Sequence, residues 1–324
     1  MKTGLKNNER EGAPTLPQNK NGQAARTAFI AIVGRPNVGK SSILNRLLGQ
    51  KVAIVSSKPQ TTRTRIMGVL TEGETQLVFL DTPGLHRPRT RLDSYMVKSV
   101  EESVAGVDAG LLVAESGARV SPTDEELIER FRSLGLPAVL AINKIDTLSD
   151  KTVLIPQIAA FSERYDFTAV VPVSAQNGNG MQELLDELKK LSQPGGHLFP
   201  DDTLTDQPER VLAAEIIREK LLRLTGEEVP HGIAVFVEQM KSRGDASGIT
   251  DISATIYCEK DSHKGIIIGK GGAMLKKVGS YARADMERFF GCRINLQLWV
   301  KVREDWRNRE SLLRSLGYDD SSFQ

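Results

Sequence analysis

Gly34-Arg35-Pro36-Asn37-Val38-Gly39-Lys40-Ser41 is the stretch on which the fold of this chain turns. The octet matches G-x-x-x-x-G-K-[ST] in full and stands between an apolar β-like run, 29–33, and an amphipathic helical pattern, 41–48. In that context the glycines let backbone N–H groups wrap a phosphate at a helix N-terminus. Lys40 bridges phosphate oxygens, and Ser41, followed by Ser42, offers a hydroxyl to Mg²⁺.

Downstream the same alternation repeats. Apolar runs at 75–80, 109–114, 138–142 and 169–173 are separated by helical patterns at 92–104, 123–134, 153–164 and 181–191. Strands apolar throughout with helices between them imply a doubly wound α/β domain, its sheet mostly parallel and buried on both faces. Ligands of such sheets bind outside the strand C-termini, and that is where the next motifs fall.

Asp81-Thr82-Pro83-Gly84 follows the run 75–80, so a carboxylate can reach Mg²⁺ and the Gly84 N–H can meet a γ-phosphate. Asn143-Lys144-Ile145-Asp146 follows 138–142. There Asp146 can accept from guanine N1–H and the 2-amino group, Lys144 can pack along the base, and a carboxylate facing adenine would be left unpaired. Ser174-Ala175 ends the last run, where a backbone N–H can meet guanine O6. Between the first two motifs lies the polar loop Lys58-Pro59-Gln60-Thr61-Thr62-Arg63-Thr64-Arg65, suited to a switch whose threonine hydroxyl ligates Mg²⁺ when γ-phosphate is present. Thr62 is favoured there, with Thr61 the alternative. The metal set is then Ser41, Thr62 and Asp81, and Lys40, Thr62 and Gly84 are the catalytic candidates.

Turn formers crowd residues 193–208, and the pattern beyond them changes to α-β-β-α-α-β with a short final helix. Four segments are expected: a tail at 1–27, a nucleotide domain at 28–192, a linker at 193–208 and a second domain at 209–324. From Lys260 to Arg303 there are ten Lys or Arg against three acidic residues, although the whole chain carries a formal charge of only +2. A local basic field of this kind suits a polyanion. Inside it, Gly269-Lys270-Gly271-Gly272 has the G-x-x-G form of the turn with which KH domains approach a nucleic-acid backbone. The preceding Ile267 and Ile268 would line an aliphatic groove, with Lys276 and Lys277 beside it. Trp299, Trp306, Tyr281 and Phe289 are read as packing residues.

Composition narrows the remaining classes. At 324 residues, 40% hydrophobic and 26% charged, the chain suits two ordinary globular domains. Its longest apolar runs fall far short of the roughly 20 residues that cross a bilayer. Two cysteines without metal or disulfide spacing fit a reducing cytoplasm. No second catalytic constellation suggests an RNA-modifying enzyme.

Taken together, the phosphate loop with Pro36-Asn37, the Gln60–Arg63 switch, the segment 81–85, Asn143–Asp146, Ser174-Ala175 and the G-x-x-G region resemble the Era ribosome-assembly GTPases, over about residues 28–318. The resemblance implies a P-loop GTPase domain followed by a type II KH domain. It also implies binding to the 3′ end of 16S rRNA in assembly of the small (30S) subunit, a monomer, and peripheral contact with the inner face of the cell membrane. Leu85 stands where Ras-type proteins hold a water-orienting glutamine. Related GTPases with an apolar residue there are implied to use K⁺, held partly by the asparagine that Asn37 matches. Alternatively, Asn37 only shapes its own loop.

Overall fold

The computed structural model describes residues 25–318 except 59, 86–87, 227–228, 230–231 and 245–247, so the expected tail up to residue 24 lies outside the described residues. Strand β1 (Arg26–Val33) runs into the phosphate loop and α1 (Lys40–Leu48) leads out of it. There follow β2 (Ile66–Glu72), β3 (Thr75–Asp81), α2 (Arg91–Ala105), β4 (Ala109–Glu115), α3 (Pro122–Leu134), β5 (Ala138–Asn143), α4 (Leu154–Ser162), β6 (Ala169–Pro172), α5 (Met181–Lys190) and the two-residue β7 (Gln193–Pro194). The sheet order is β2-β3-β1-β4-β5-β6, with β7 pairing antiparallel to the start of β1. β1 and β3–β6 are parallel, and β2 joins β3 antiparallel at the edge.

β4 and β5 are buried almost throughout, as strands covered by helices on both faces must be. β2 is an addition to the expected strands. Gly68 interrupts its apolar run, and the packing supplies the reason: a Cβ there would stand 2.7 Å from Leu48 and 2.8 Å from Leu44 of α1. β1 also starts earlier than expected, within the supposed tail, because Arg26 and Thr27 pair with β7 and the Arg26 side chain reaches Ser192.

Residues 193–208 lie along the sheet edge. Val69 N–H donates to Leu204 O at 2.9 Å, Thr205 Oγ1 to Met67 O at 2.6 Å and Gln76 Nε2 to Phe199 O at 2.9 Å. The second half consists of α6 (Glu209–Leu224), β8 (Ala234–Ser242), β9 (Ile249–Cys258), α7 (Asp261–Ile268), α8 (Ala273–Phe290), β10 (Arg293–Val302) and α9 (Glu310–Ser315). Its three-stranded sheet has the order β10-β9-β8, β10 parallel and β8 antiparallel to β9. One face packs on α6, α7 and α8 through a core that includes Ile217, Leu221, Ile256, Ile267, Val278, Ala282 and Met286. This is the expected α-β-β-α-α-β order. Among the described residues, no helix is long and apolar enough to cross a membrane.

The two halves meet through polar and apolar contacts. Lys51, in the loop after α1, pairs with Glu219 of α6 at 2.5 Å and Asp285 of α8 at 3.1 Å. Val55 N–H donates to Glu219 at 3.0 Å, and its carbonyl accepts from Arg223. Leu92 and Met96 of α2 share a small core with Ala234, Trp306 and Leu313.

Candidate functional site

The C-terminal ends of β1, β3, β5 and β6 open into a cleft of about 650 Å³. Pro36, Asn37, Gly39, Lys40, Ser41 and Ser42 form its floor, Thr62 and Gly84 one wall, and Asn143, Lys144, Asp146 and Ala175 the other. Gly39 has φ +102°, and a Cβ there would sit 2.2 Å from Asn143 Nδ2, so no larger residue fits. Asn143 in turn donates to Val38 O at 2.9 Å and accepts from Ala175 N–H at 3.1 Å, tying three of the four motifs together.

Lys40 Nζ donates to the carbonyls of Gly34 and Arg35, both at 3.0 Å, which holds the ammonium over the loop. Burial lowers its pKa to about 8, against the partial compensation of Asp81. Asp81 is wholly buried, and burial raises its carboxyl to about 6 although Lys40, Ser41 and the backbone of Thr82 act to lower it. Such a site is electrostatically incomplete by itself. A polyphosphate beside Lys40 and a cation beside Asp81 would relieve both penalties.

Ser41 Oγ donates to Asp81 Oδ2 at 2.6 Å and lies 2.9 Å from Thr62 Oγ1. The other carboxylate oxygen of Asp81 is buried with no hydrogen-bond partner. Two hydroxyls and an orphaned carboxylate oxygen are a hard-oxygen donor set that fits Mg²⁺, with phosphates and water completing the shell. The alternative, Thr61, faces elsewhere: its hydroxyl lies 2.7 Å from Ser56 Oγ and donates to Lys58 O at 2.6 Å.

On the base side, the Ser174 hydroxyl donates to Asp146, and Lys144 pairs with Glu115 at 2.9 Å. Lys144 has φ +68°, the left-handed conformation that turns the chain from β5 into the base loop. Other expected residues support the cleft from behind. Val38, Thr82, Pro83 and Ile145 are buried, Gly34 packs against the Val113 carbonyl, and Arg35 turns away to Asp124 of α3 at 3.4 Å.

One expected nucleotide contact is corrected. The Leu85 side chain points out of the cleft into the core with Val100, Val104, Leu127 and Phe131, because an apolar residue at that position gains more from the α2/α3 interior than from a polar site. The sequence reading missed Ser56, Ser57, Thr147 and Gln176, which line the cleft beside Gln60 of the switch loop. They belong to no motif and arrive there through loop geometry. Asn37, at φ +64°, donates its amide to Ser57 O at 3.0 Å.

In the second half the G-x-x-G turn joins α7 to α8. Gly269, Gly271 and Gly272 all have positive φ, and a Cβ on Gly269 would meet that of Met274 at 2.7 Å. Lys270 is exposed at the tip. Beside the turn, α8 and β10 enclose a groove of about 470 Å³ lined by Leu275, Lys276, Arg283, Leu296 and Leu298.

Two expectations change here. Ile267 is fully buried in the core, so the groove takes its apolar wall from Leu275, Leu296 and Leu298, while Ile266 is the exposed isoleucine. The period of α7 decides this, since neighbouring helical residues point about 100° apart. Lys277 lies outside the groove, over the Tyr281 ring at 5.9 Å. Of the aromatic residues read as packing, Trp306 is fully buried and Phe289 half-buried, but Trp299 is 57% and Tyr281 50% exposed.

Comparison with known proteins adds the following. The family described as 50S ribosome-binding GTPase matches residues 29–144, and the KH domain family matches 228–307. GTPase Era of Clostridioides difficile is 48% identical over 295 residues, covering 91% of this chain and 99% of its own. GTPase Era of Geobacter metallireducens is 47% identical over 293 residues, covering 90% and 98%. Among solved structures, an Aquifex aeolicus Era point variant bound to GDP and AlF4⁻ superposes with a TM-score of 0.87 at 40% identity, over 90% of this chain and 99% of that one. Era in complex with MgGDPNP and nucleotides 1506–1542 of 16S ribosomal RNA gives 0.87 at 40%, over 91% and 99%.

Proposed function

This chain belongs to the Era family of GTPases, and we propose that it is a switch in which GTP binding and hydrolysis in the first half time the grip of the second half on the 3′ end of 16S rRNA during small-subunit assembly. One observation carries this reading. Within Thr61-Thr62-Arg63, the middle hydroxyl joins Ser41 at the metal position, while both flanking residues are held by the second half. Arg218 of α6 donates to Thr61 O, and Arg63 Nη1 donates to Ile233 O at 2.6 Å. A loop that orders around a γ-phosphate therefore moves residues that the RNA-binding half also holds.

In this assignment the nucleotide domain, expected at 28–192, also takes in Arg26, Thr27 and the β7 pair Gln193-Pro194, the rest of 193–208 is the connection, and the KH domain begins at α6. Ser41, Thr62 and Asp81 hold Mg²⁺, which when bound supplies positive charge to the phosphate oxygens. Lys40 and the loop N–H groups stabilise the charge that develops on the transferred phosphoryl, and the Gly84 N–H faces the γ-phosphate. Asp146, oriented by Ser174, selects guanine. Leu85 in the core leaves no side chain to orient the attacking water at its position, and Asn37 would help to hold a K⁺, which when bound would supply the missing positive charge. The RNA strand lies in the α8/β10 groove, its backbone passing Lys270, Gly271 and Lys276, a polar and basic surface that favours phosphates.

The test is the double substitution Lys270→Asp with Gly271→Asp in the full chain. It puts two carboxylates where phosphates pass and adds a side chain at a left-handed glycine. Affinity for a 16S 3′-end oligonucleotide should collapse while GTP affinity stays within about twofold, since no cleft residue is altered. Undiminished RNA binding would refute the assignment of the groove.

A further inference from the structure

The strand that walls the RNA groove also has an outer face. Residues of a strand alternate in direction. Leu296 and Leu298 of β10 point toward α8, whereas Arg293, Gln297, Trp299 and Lys301 are exposed on the opposite side. No acidic residue interrupts that outer row of β10. Lys301 meets Glu238 of β8 at 3.7 Å, both of them substantially exposed.

Trp299 stands in a row of its own kind. The strand register sets it opposite Thr255, and Thr255 opposite Phe236, which is 38% exposed. In the row above, Lys301 stands opposite Tyr257, and the Arg303 guanidinium lies 6.0 Å from the Tyr257 ring centre. A pocket of about 220 Å³ opens beside Phe236, Tyr257 and Arg303. Trp306 and α9 cover this outer face only around Ala234 and Tyr257, and the indole of Trp299 belongs to no core cluster and is left in water. Aromatic faces flanked by Lys and Arg are the chemistry that stacks unpaired bases and holds their phosphates.

We propose that the outer face of β10 is a second RNA subsite. Single-stranded RNA leaving the α8/β10 groove turns around the free edge of β10 and stacks a base on Trp299, with Arg293 and Lys301 beside the neighbouring phosphates. β10 is the edge of its sheet, so nothing among the described residues pairs with it on that side, and Leu298 and Trp299 connect the two surfaces through one peptide unit. The proposal rests on the RNA-binding reading above and commits to the same strand of RNA as occupant.

The test uses the full chain with two single-stranded RNAs carrying the 16S 3′-end sequence. One has about five nucleotides, enough for the groove, and the other about twelve. The chain has two tryptophans, and the other, Trp306, is fully buried, so acrylamide quenching of emission reports on Trp299. The long RNA should protect Trp299 from the quencher and the short one should not. Trp299→Ala should weaken the long RNA about tenfold and leave the short one unchanged, Trp299→Phe should keep most of the affinity, and GTP affinity should not move.

If Trp299→Ala binds the long RNA as the parent chain does, while the Lys270→Asp/Gly271→Asp variant binds neither, the groove stands and the second subsite is overturned. If the parent chain binds neither RNA, both readings fall. A parent dimer in analytical ultracentrifugation that Trp299→Ala dissociates would assign the surface to a second copy of the chain and overturn the RNA proposal.

Discussion

The guanidinium of Arg63 lies 5.7 Å from the centre of the Trp306 ring. One residue belongs to the loop that reaches the metal position, the other to the turn that follows β10, and both are almost entirely buried. Trp306 is itself fixed by donating Nε1–H to Gly232 O at 2.9 Å. The arginine thus crosses from the nucleotide half into a socket of the other half.

A double-mutant cycle measures that contact. A desolvated cation–π pair contributes about 2 kcal/mol, so Arg63→Met and Trp306→Leu together should destabilise the chain less than the sum of the single changes by about that amount. Urea denaturation of the four proteins checks it. A coupling within about 0.3 kcal/mol of zero would mean that the two residues merely sit near each other.

The Lys51–Glu219–Asp285 cluster predicts an acid-sensitive interface. Burial alone would raise the Glu219 and Asp285 carboxyls, but hydrogen bonds from Lys220 and Lys51 outweigh it and hold both below their ordinary values. A carboxyl lowered in the folded state adds stability that is complete above its unfolded pKa and is lost as pH falls through the folded one. Glu219→Gln should therefore cost roughly 2 kcal/mol at pH 7, a gap that narrows below about pH 4 as the parent's own carboxylates protonate. Urea midpoints from pH 7 to 3 check this. A gap that stays constant would show that the charge of Glu219 contributes nothing.

Asp146→Asn should move selectivity from guanine toward xanthine nucleotides. The amide can donate to the extra carbonyl of xanthine but loses the charged acceptor for guanine N1–H and the 2-amino group. Two hydrogen bonds to a charged group are at stake, so GTP affinity should fall by about a hundredfold or more. Competition of GTP and XTP for the variant reads the outcome directly, and unchanged GTP affinity would dismantle the base pocket.

Hydrolysis should run faster in K⁺ than in Na⁺ at equal ionic strength. Asn37→Ala should remove the difference, about ten- to a hundredfold if the cation supplies one transition-state contact. The hydrogen bond from the Asn37 amide to Ser57 O also serves loop shape, so GTP affinity is measured in parallel. If the variant binds GTP normally and keeps the full K⁺ response, the assignment to Asn37 fails.

The nucleotide cleft was legible because its parts are local. A strand, a glycine-rich turn and a helix follow each other between Arg26 and Leu48, and the spacing of Gly34, Gly39, Lys40 and Ser41 leaves the backbone little choice. The same holds for Asp81, Asn143 and Ser174, each at the end of an apolar run that could only be a buried strand. In the second half, the order of elements and the turn at Gly269 could be read from residues that are neighbours in the chain.

Other features depended on residues far apart in sequence. β2 was hidden by Gly68, whose missing side chain makes sense only once α1 lies across it. The sequence favours Thr62 with Thr61 as the alternative, and only the nearness of the Thr62 hydroxyl to Ser41, twenty-one residues away, adds a spatial argument for it. Ile267 and Ile266 look alike in composition, and only the packing of α7 decides which is buried. Leu85 in the core, Trp299 on the outer face of β10 and Arg63 against Trp306 share that cause: the direction of a side chain at a surface or interface is set by what packs opposite. A motif is a statement about neighbours along the backbone, whereas the coupling of this GTPase to its RNA-binding half is built from contacts between residues more than 150 positions apart.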